Sequence, residues 1–499
     1  LSLVFWHRAW REFYRPLQEA SLSRLLQGVN EGIQWGERAV AELSKLGDSY
    51  EMGVAYFTLA TCLDFLISRT EEPEKQEQLR SRCSEHLQKA IQLSERVGDD
   101  YQVGLSYRWL AAPGQSIAHS EKAVECGEKT GDTFLKGEGL MSLAEWVMWK
   151  AGGTDDPDER RRLQEESIQW YDKAEHLGFI TSFYGLSGGA MARPVGYACY
   201  YCVIFSYEVE PEKRFEFSER AVQFGKKAVK VAEESGCNIS RAHLAFAVAL
   251  DCRGRIEPDI DRKRNFLEEA VKHGQRYVER HEQLAPFDYD RLGRSGYLFV
   301  GPIKSELGNI EVDPASKMRV LEEAVLDCEK GLELSEKIMP SYERRGGFYL
   351  YATLHKSQDA YATLLTRLYA LTNRPEHLRR AVEILQKAIY SASKLNLTSR
   401  VAEYHWKIAK TYAILKEHSE AAENFENASQ GYTKAAEKIP QLKEFYRDHS
   451  SYLQAWSEIE KAKQCHAEKE YGTAKEYYEK AADLHKSTQR WNHLSSNYQ

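Results

Sequence analysis

Residues 405–433 read HWKIAKTYAILKEHSEAAENFENASQGYT. In the second half of this stretch Phe425 is followed three positions later by Ala428. A spacing of i, i+3 puts both side chains on one helical face. The ring fills a groove, and the alanine lets a neighbouring helix approach closely. The same phrase recurs as Leu87/Ala90, Tyr171/Ala174, Leu267/Ala270, Leu321/Ala324, Leu385/Ala388 and Tyr478/Ala481. One packing solution is therefore reused along the chain, and an internal repeat outranks every other sequence signal. A stack of helix pairs makes a long surface rather than a catalytic pocket.

One alanine marks the second helix of each pair: Ala39, Ala90, Ala123, Ala174, Ala221, Ala270, Ala324, Ala381, Ala421 and Ala474. The gaps run from 33 to 57 residues, so the repeat is irregular. Gaps near 50 demand longer helices or longer loops, for example the charged segment Glu71 to Arg82. Leu46-Gly47-Asp48, Val97-Gly98-Asp99 and Thr130-Gly131-Asp132 share one logic. Glycine ends a helix in the left-handed conformation, and the aspartate caps the next. Asp48 with Glu51 fits a capping box. Most of the 13 prolines lie between amphipathic stretches, as in Glu72-Pro73, Asp156-Pro157, Glu210-Pro211, Glu257-Pro258, Asp313-Pro314 and Arg374-Pro375. There they punctuate helices without breaking them. No period-2 strand and no Asn-Gly hairpin is read. Two segments depart from the pattern, Thr181 to Tyr207 and Leu284 to Gly308, rich in Gly with Tyr or Arg. Local consistency fails at functional places, so binding is sought there first.

The 499 residues carry 29% charged side chains and a net charge of −7. That balance argues against a general nucleic-acid or anionic-membrane binder, which needs a basic face. Mean hydropathy is −0.59. The longest apolar stretch, Val195 to Tyr207, is too short to span a bilayer. Leu1 to Trp10 shows no secretory cleavage site, and the start at Leu is that of a fragment, a processed product or an incomplete sequence. An N-terminal aromatic cluster (Phe5, Trp6, Trp10, Phe13, Tyr14) either caps the stack or docks on another chain. Nine cysteines, an odd number set mostly in apolar helical segments, read as reduced thiols of a cytoplasmic protein.

The stretch 405–433 resembles a tetratricopeptide repeat. Ile408 and Ala409 take the Leu-Gly/Ala step of its first helix, and Tyr412 the aromatic position. Ala421, Phe425 and Ala428 match the small-aromatic-small face of its second. The next unit fits at Ala462, Cys465, Ala474, Tyr478 and Ala481, with Lys461 where the family has Leu. Leu59, Ala60 and Leu63 with Cys83, Leu87 and Ala90 make a looser pair. Thr433 replaces the family's late proline. The Leu-Gly-Asp turns also look like those in helical sensor arms of multi-domain signal-transduction ATPases. The resemblance implies a right-handed superhelix whose inner groove, lined by first helices, holds a peptide or protein. Some family members clamp a terminal carboxylate with Lys and Asn. The first helix here, Ala402 to Leu415, has Lys407 and Lys410 but no Asn, so the clamp is not carried over.

Motifs that carry chemistry are weak. Cys199-Tyr200-Tyr201-Cys202 has the spacing of half a zinc site or a redox pair, but lacks a second ligand pair or a βαβ setting. It is read as two buried thiols in an apolar helix. Gly185, Gly188 and Gly189 are not followed by Lys-Ser or Lys-Thr, so no phosphate loop is read. His281-Glu282 begins like a zinc-protease helix, but Ala285 stands where the second His belongs. Arg160, Arg161 and Arg162 are neutralised by Glu159, Glu165 and Glu166 and read as a solvated helix start.

Arg with Tyr is the composition of binding hot spots. Arg291, Arg294 and Tyr297 follow i, i+3, i+6 spacing, and Arg344, Arg345 and Tyr349 form a similar cluster. These six are the candidate partner-binding residues, with snorkelling and internal ion pairing as the alternative. The expectation is an all-α, right-handed solenoid of about ten antiparallel helix pairs. It runs as one array over 1–499, with an irregular centre at 181–308 and its most repeat-like part at 400–488. Its role is that of a scaffold holding a protein or peptide partner, in the cytoplasm, without enzymatic activity, cofactor, metal, nucleic acid or membrane. The alternative is the sensing arm of a larger signalling or defence protein. Single-stranded RNA binding by Tyr and Arg, and an enzyme hidden in the irregular centre, stand behind these.

Overall fold

The computed structural model describes residues 22–47, 50–67, 70, 72–110, 117–177, 197–199, 201–202, 210–235, 239–284, 296–343 and 348–486. Their order is α1 (Leu22–Leu46), α2 (Tyr50–Ile67), α3 (Pro73–Val97), α4 (Asp100–Leu110), α5 (Ile117–Thr130), α6 (Thr133–Gly152), α7 (Pro157–His176), α8 (Pro211–Ser235), α9 (Ile239–Ile256), α10 (Ile260–Leu284), α11 (Leu298–Ile310), α12 (Pro314–Glu343), α13 (Phe348–Thr372), α14 (Pro375–Lys394), α15 (Thr398–Leu415), α16 (His418–Lys438), α17 (Lys443–Ala467) and α18 (Tyr471–Lys486). No strand occurs among the described residues. The build is an all-α helical repeat in which successive helices pack side by side.

Local chemistry explains the boundaries. Gly47, Gly98 and Gly131 all adopt positive φ, at 72°, 72° and 68°. Asp99 Oδ1 accepts from the Gln102 amide at 3.0 Å, and Asp132 Oδ1 from the Leu135 amide. Each carboxylate thus caps the helix after its glycine. Asp48 lies outside the described residues. Pro73, Pro157, Pro211, Pro314 and Pro375 open α3, α7, α8, α12 and α14, where a missing N–H costs nothing. Each marker alanine falls in a helix of its own, and the nine from Ala90 onward are at most 3% exposed. In the gap between Ala39 and Ala90 a long helix takes up the charged segment: α3 begins at Pro73 and runs 25 residues.

The described residues divide into two compact units. One draws on Leu1–Ala151, Arg161–Ile310 and Glu329–Gly346, and the other on Gly152–Arg160, Glu311–Cys328 and Gly347–Gln499. The sequence reading treats the chain as one array. In the first unit, one core joins Phe57, Ala60 and Leu63 of α2 to Leu87 and Ala90 of α3, Val103 of α4 and Cys126 of α5. A second joins Ala228 and Ala232 of α8, Phe246 and Leu250 of α9, Leu267 and Ala270 of α10 and Ile303 of α11. Residues 211–284, inside the segment expected to be irregular, are therefore regular packed helices. In the second unit, Ala402 and Ala409 of α15 meet Phe425, Ala428 and Tyr432 of α16 and Leu453 of α17. Phe425 is 2% exposed and Ala428 fully buried. Tyr478 departs from its phrase at 43% exposed, since no described helix follows α18 to cover it.

Close crossings need glycine at one place above all. A Cβ on Gly127 of α5 would lie 2.5 Å from the backbone N and 2.7 Å from the Cα of Lys136 on α6. Backbone cannot rotate away, so Gly127→Ala is expected to lower stability by about 1–3 kcal/mol despite alanine's better helix propensity. Thermal unfolding would show the midpoint fall. Gly472→Ala, with nothing within 4 Å, is not expected to lower it.

Candidate binding surface

The surface is built on α15. Ala402, Tyr404, Ile408, Ala409 and Thr411 are buried. The opposite arc carries Glu403, Trp406, Lys407, Lys410 and Ile414, at i, i+3, i+4, i+7 and i+11. Ile414 is 49% exposed. Asp359 of α13 reaches Lys407 Nζ at 2.6 Å, Lys407 also pairs with Glu403 at 3.2 Å, and Arg400 with Glu403 at 2.7 Å. Burial raises the Asp359 carboxyl, with Lys407 opposing it. Burial pushes Glu403 the same way, but Arg400 and Lys407 outweigh it and its pKa falls.

Lys410 differs from its neighbours. It pairs with no carboxylate among the described residues, and its ammonium sits 4.6 Å over the ring of Trp406. The side chain is exposed, yet burial first, and Lys407 second, lower its pKa. Neighbouring protein therefore disfavours the charged form of a side chain that solvent still reaches.

Aromatic side chains extend the wall onto α17. Tyr452 and Trp456, one turn apart, are half-buried. Trp406 meets Tyr452 edge-on at 6.2 Å, and Tyr452 meets Trp456 at 6.3 Å. His485 of α18 lies 6.0 Å from Tyr452 and 6.5 Å from Trp456. Lys463 stands 5.9 Å over Trp456 while holding the buried Glu460 at 2.7 Å. Edge-to-face contacts, with Phe425 stacked on Trp456 and His485 on Tyr452, fix the half-buried rings with ammonium groups beside them. Among the described residues no group of three His, Cys, Asp or Glu is placed to hold a metal.

The start of α15 is tied down from far away in the chain. Asp155, 7% exposed, accepts the Ser399 amide at 3.2 Å and the Ser399 hydroxyl at 3.0 Å. A helix's first turn carries unpaired N–H groups and a positive partial charge, so this carboxylate caps it from outside.

The residues singled out from the sequence fare differently. Tyr297 is 9% exposed. Its hydroxyl donates to Glu282 and accepts from Lys330, whose ammonium also lies 4.2 Å over the ring. It is tied inside its own unit rather than offered to a partner. Arg291, Arg294, Arg344 and Arg345 lie outside the described residues, as does the side chain of Tyr349. So do Gly185, Gly188, Gly189 and Ala285. His281 is buried against Tyr277 at 4.4 Å between ring centres. Arg161 and Arg162 are exposed on the first turns of α7, Arg162 pairing loosely with Glu166 at 3.5 Å. Cys202 is buried, but Cys199 is exposed. Where α8 and α9 reach, not local composition, decides which thiol is covered. Sequence reading passed over Trp406, Tyr452 and Trp456. The i, i+4 pair Trp406/Lys410 was visible, but its aromatic continuation lies on another helix.

No protein-family model matches the chain. No curated protein matches it either. Among solved structures it is similar to a Signal Transduction ATPase with Numerous Domains protein with a tetratricopeptide repeat sensor from Pyrococcus horikoshii, at 12% identity and a TM-score of 0.49. That alignment covers 90% of this chain and 54% of the other, so the chain spans about half its length. A human IFIT1 dimer with m7Gppp-AAAA aligns at 12% identity and a TM-score of 0.31, over 91% of this chain and 95% of that one. A circular tandem repeat protein aligns at 15% identity and 0.18, covering 97% and 95%. These are likenesses of helical build and nothing finer.

Proposed function

We propose that this chain is a non-catalytic helical-repeat module that binds an acidic, aromatic- or aliphatic-bearing segment of a protein partner across α15 and α17. The observation that carries the reading is Lys410. Its ammonium is exposed, lacks a carboxylate among the described residues, and rests on Trp406 beside the Tyr452–Trp456 row. A partner carboxylate would meet that ammonium while an apolar side chain covers the rings, the pairing that concentrates binding energy at interfaces. Helices that are already packed reduce the ordering cost on this side. The net charge of −7 works against a broad polyanion site. A cytoplasmic setting belongs to the proposal, in keeping with eight cysteines outside any disulfide among the described residues. Among the described residues no helix is long and apolar enough to cross a membrane. A sensing arm of a larger regulatory protein would use the same surface, and the reading frame on either side of residues 1–499 distinguishes the two settings.

The test titrates the chain with synthetic peptides carrying Glu and Phe or Leu, read by tryptophan fluorescence. Lys410→Glu is expected to weaken binding at least about tenfold, or ~1.4 kcal/mol. Lys226→Glu, exposed on α8, leaves it unchanged. Equal affinity in the Lys410 variant removes this surface. Single-stranded RNA binding that Lys410→Glu abolishes would reassign it to nucleic acid.

A further inference from the structure

The cysteines near residue 200 go beyond the binding role. Cys202 and Cys252 belong to one buried cluster with Tyr201, Ala221 of α8 and Ala249 of α9. Packed in that one cluster, the Cys202 and Cys252 side chains are already neighbours although 50 residues separate them. Cys199, three residues before Cys202, is exposed. The three thiols therefore run from solvent to core. The neighbouring Cys252 thiol first, and burial second, hold Cys202 well above the ordinary thiol range, which keeps it protonated and slow towards oxidants at rest. Cys199 is the thiol an oxidant meets.

We propose that Cys199, Cys202 and Cys252 form a peroxide-driven thiol relay that ends in a buried Cys202–Cys252 disulfide joining the 197–202 segment to α9. In the first step the Cys199 thiolate attacks the O–O bond of a hydroperoxide. An S–O bond forms, the O–O bond breaks, and the leaving alkoxide or hydroxide takes a proton from solvent. Cys202, its proton passed to water, then attacks the Cys199 sulfenic sulfur. An S–S bond forms, and the hydroxyl leaves as water. A disulfide needs Cβ atoms ~3.5–4.5 Å apart, so Cys199 and Cys202 must reach that separation in this step. Cys252 finally attacks the Cys202 sulfur and releases the Cys199 thiolate. The net reaction consumes two thiols and one peroxide and yields one disulfide, one alcohol or water, and one water. The product staples two packed elements and leaves Cys199 free to be read by solvent.

The experiment treats the intact chain with hydrogen peroxide, blocks remaining thiols, and maps disulfide-linked peptides by mass spectrometry. The wild type is expected to give the Cys202–Cys252 link. Cys199→Ser should slow its appearance at least tenfold, and Cys252→Ser should trap a Cys199–Cys202 link instead. Circular dichroism before oxidation confirms that each variant keeps its helices. A variant that fails that check is replaced by a time course on the wild type, where the Cys199–Cys202 link must precede Cys202–Cys252. Two results overturn the relay. One is Cys199 passing to sulfinic acid while Cys202 and Cys252 stay reduced. The other is the buried link forming as fast without Cys199.

Discussion

Arg253→Ala is expected to remove about 3–5 kcal/mol of stability, the scale for breaking a buried ion pair by deleting one partner. Arg253 is 1% exposed on α9. Its Nε donates to Glu219 Oε1 at 2.5 Å, and its Nη2 lies 2.6 Å from Glu257 Oε2. The guanidinium is sandwiched near Phe215 at 4.4 Å and Phe266 at 5.1 Å. The Glu257 side chain is itself 3% exposed, and its remaining cation, Arg262, stands 3.7 Å away. Alanine therefore leaves a desolvated carboxylate and a void between two rings. Arg253→Lys should recover little, because an ammonium cannot serve both carboxylates in a planar fork. The double change Arg253→Met with Glu257→Gln should recover much of the loss, since replacing both partners removes the stranded charge. Urea unfolding of the three variants measures this. A single Arg253→Ala variant within about 1 kcal/mol of wild type would show that the pair contributes no more than a surface bridge.

Acid should destabilise the fold through its buried histidines. Burial lowers His355 to about 3, with Lys356 and Arg400 adding to it. Burial lowers His273 to about 4, with His243, Arg276 and Lys272 adding. His355 is 1% exposed, shares a 2.8 Å hydrogen bond between its Nδ1 and the Tyr404 hydroxyl, and has a buried Nε2 with no hydrogen-bond partner among the described residues, so a charged ring is poorly compensated. His273 and His243 share an Nδ1···Nδ1 hydrogen bond of 2.8 Å, so one ring must donate and the other accept. In the unfolded chain each His titrates near 6.5. Below that pH the unfolded state takes up protons that the folded state refuses, and stability falls as pH falls, down to the folded values. Between pH 6.5 and pH 5 each of these two histidines costs about 2 kcal/mol. His273 lies in the first unit and His355 in the second, so both units should weaken. Urea midpoints compared at pH 7 and pH 5 test it. A flat profile would mean that the rings open to water without cost, and His355→Gln should make the second unit's share of the slope shallower.

Much of the architecture was legible. The large-then-alanine phrase is buried at Leu87/Ala90, Leu267/Ala270, Leu321/Ala324, Leu385/Ala388 and Phe425/Ala428. The Gly-Asp turns at Gly98 and Gly131 cap as their chemistry requires. Other helix ends were not readable in the same way. In the second unit α13, α14, α15 and α17 end on Asn373, Asn396, Lys416 and Lys469 with positive φ. Asn tolerates that region, but nothing local marks Lys416 or Lys469. The binding surface was harder still. Arg-Tyr spacing pointed to Tyr297, yet Glu282 and Lys330 come from α10 and α12 to hold it. Composition says which side chains are able to bind. It does not say which of them a neighbouring helix has already taken.

The chain by itself settled the helical repeat, the helix starts at proline and aspartate, and the alanine faces. Each depends on residues within a turn or two of one another, where spacing along a helix is spacing in space. Only the tertiary arrangement decided which side chains other helices take up and which stay exposed. Lys407 is matched by Asp359 at 48 residues' separation, and the first turn of α15 is capped by Asp155 at 244. Lys410, resting on Trp406 beside the aromatic row of α17, makes no ion pair with a described carboxylate, though Glu403 acts on it from further off. Those outcomes follow from which helices come to lie side by side, and hydrophobic burial, which drives that choice, carries no direction of its own.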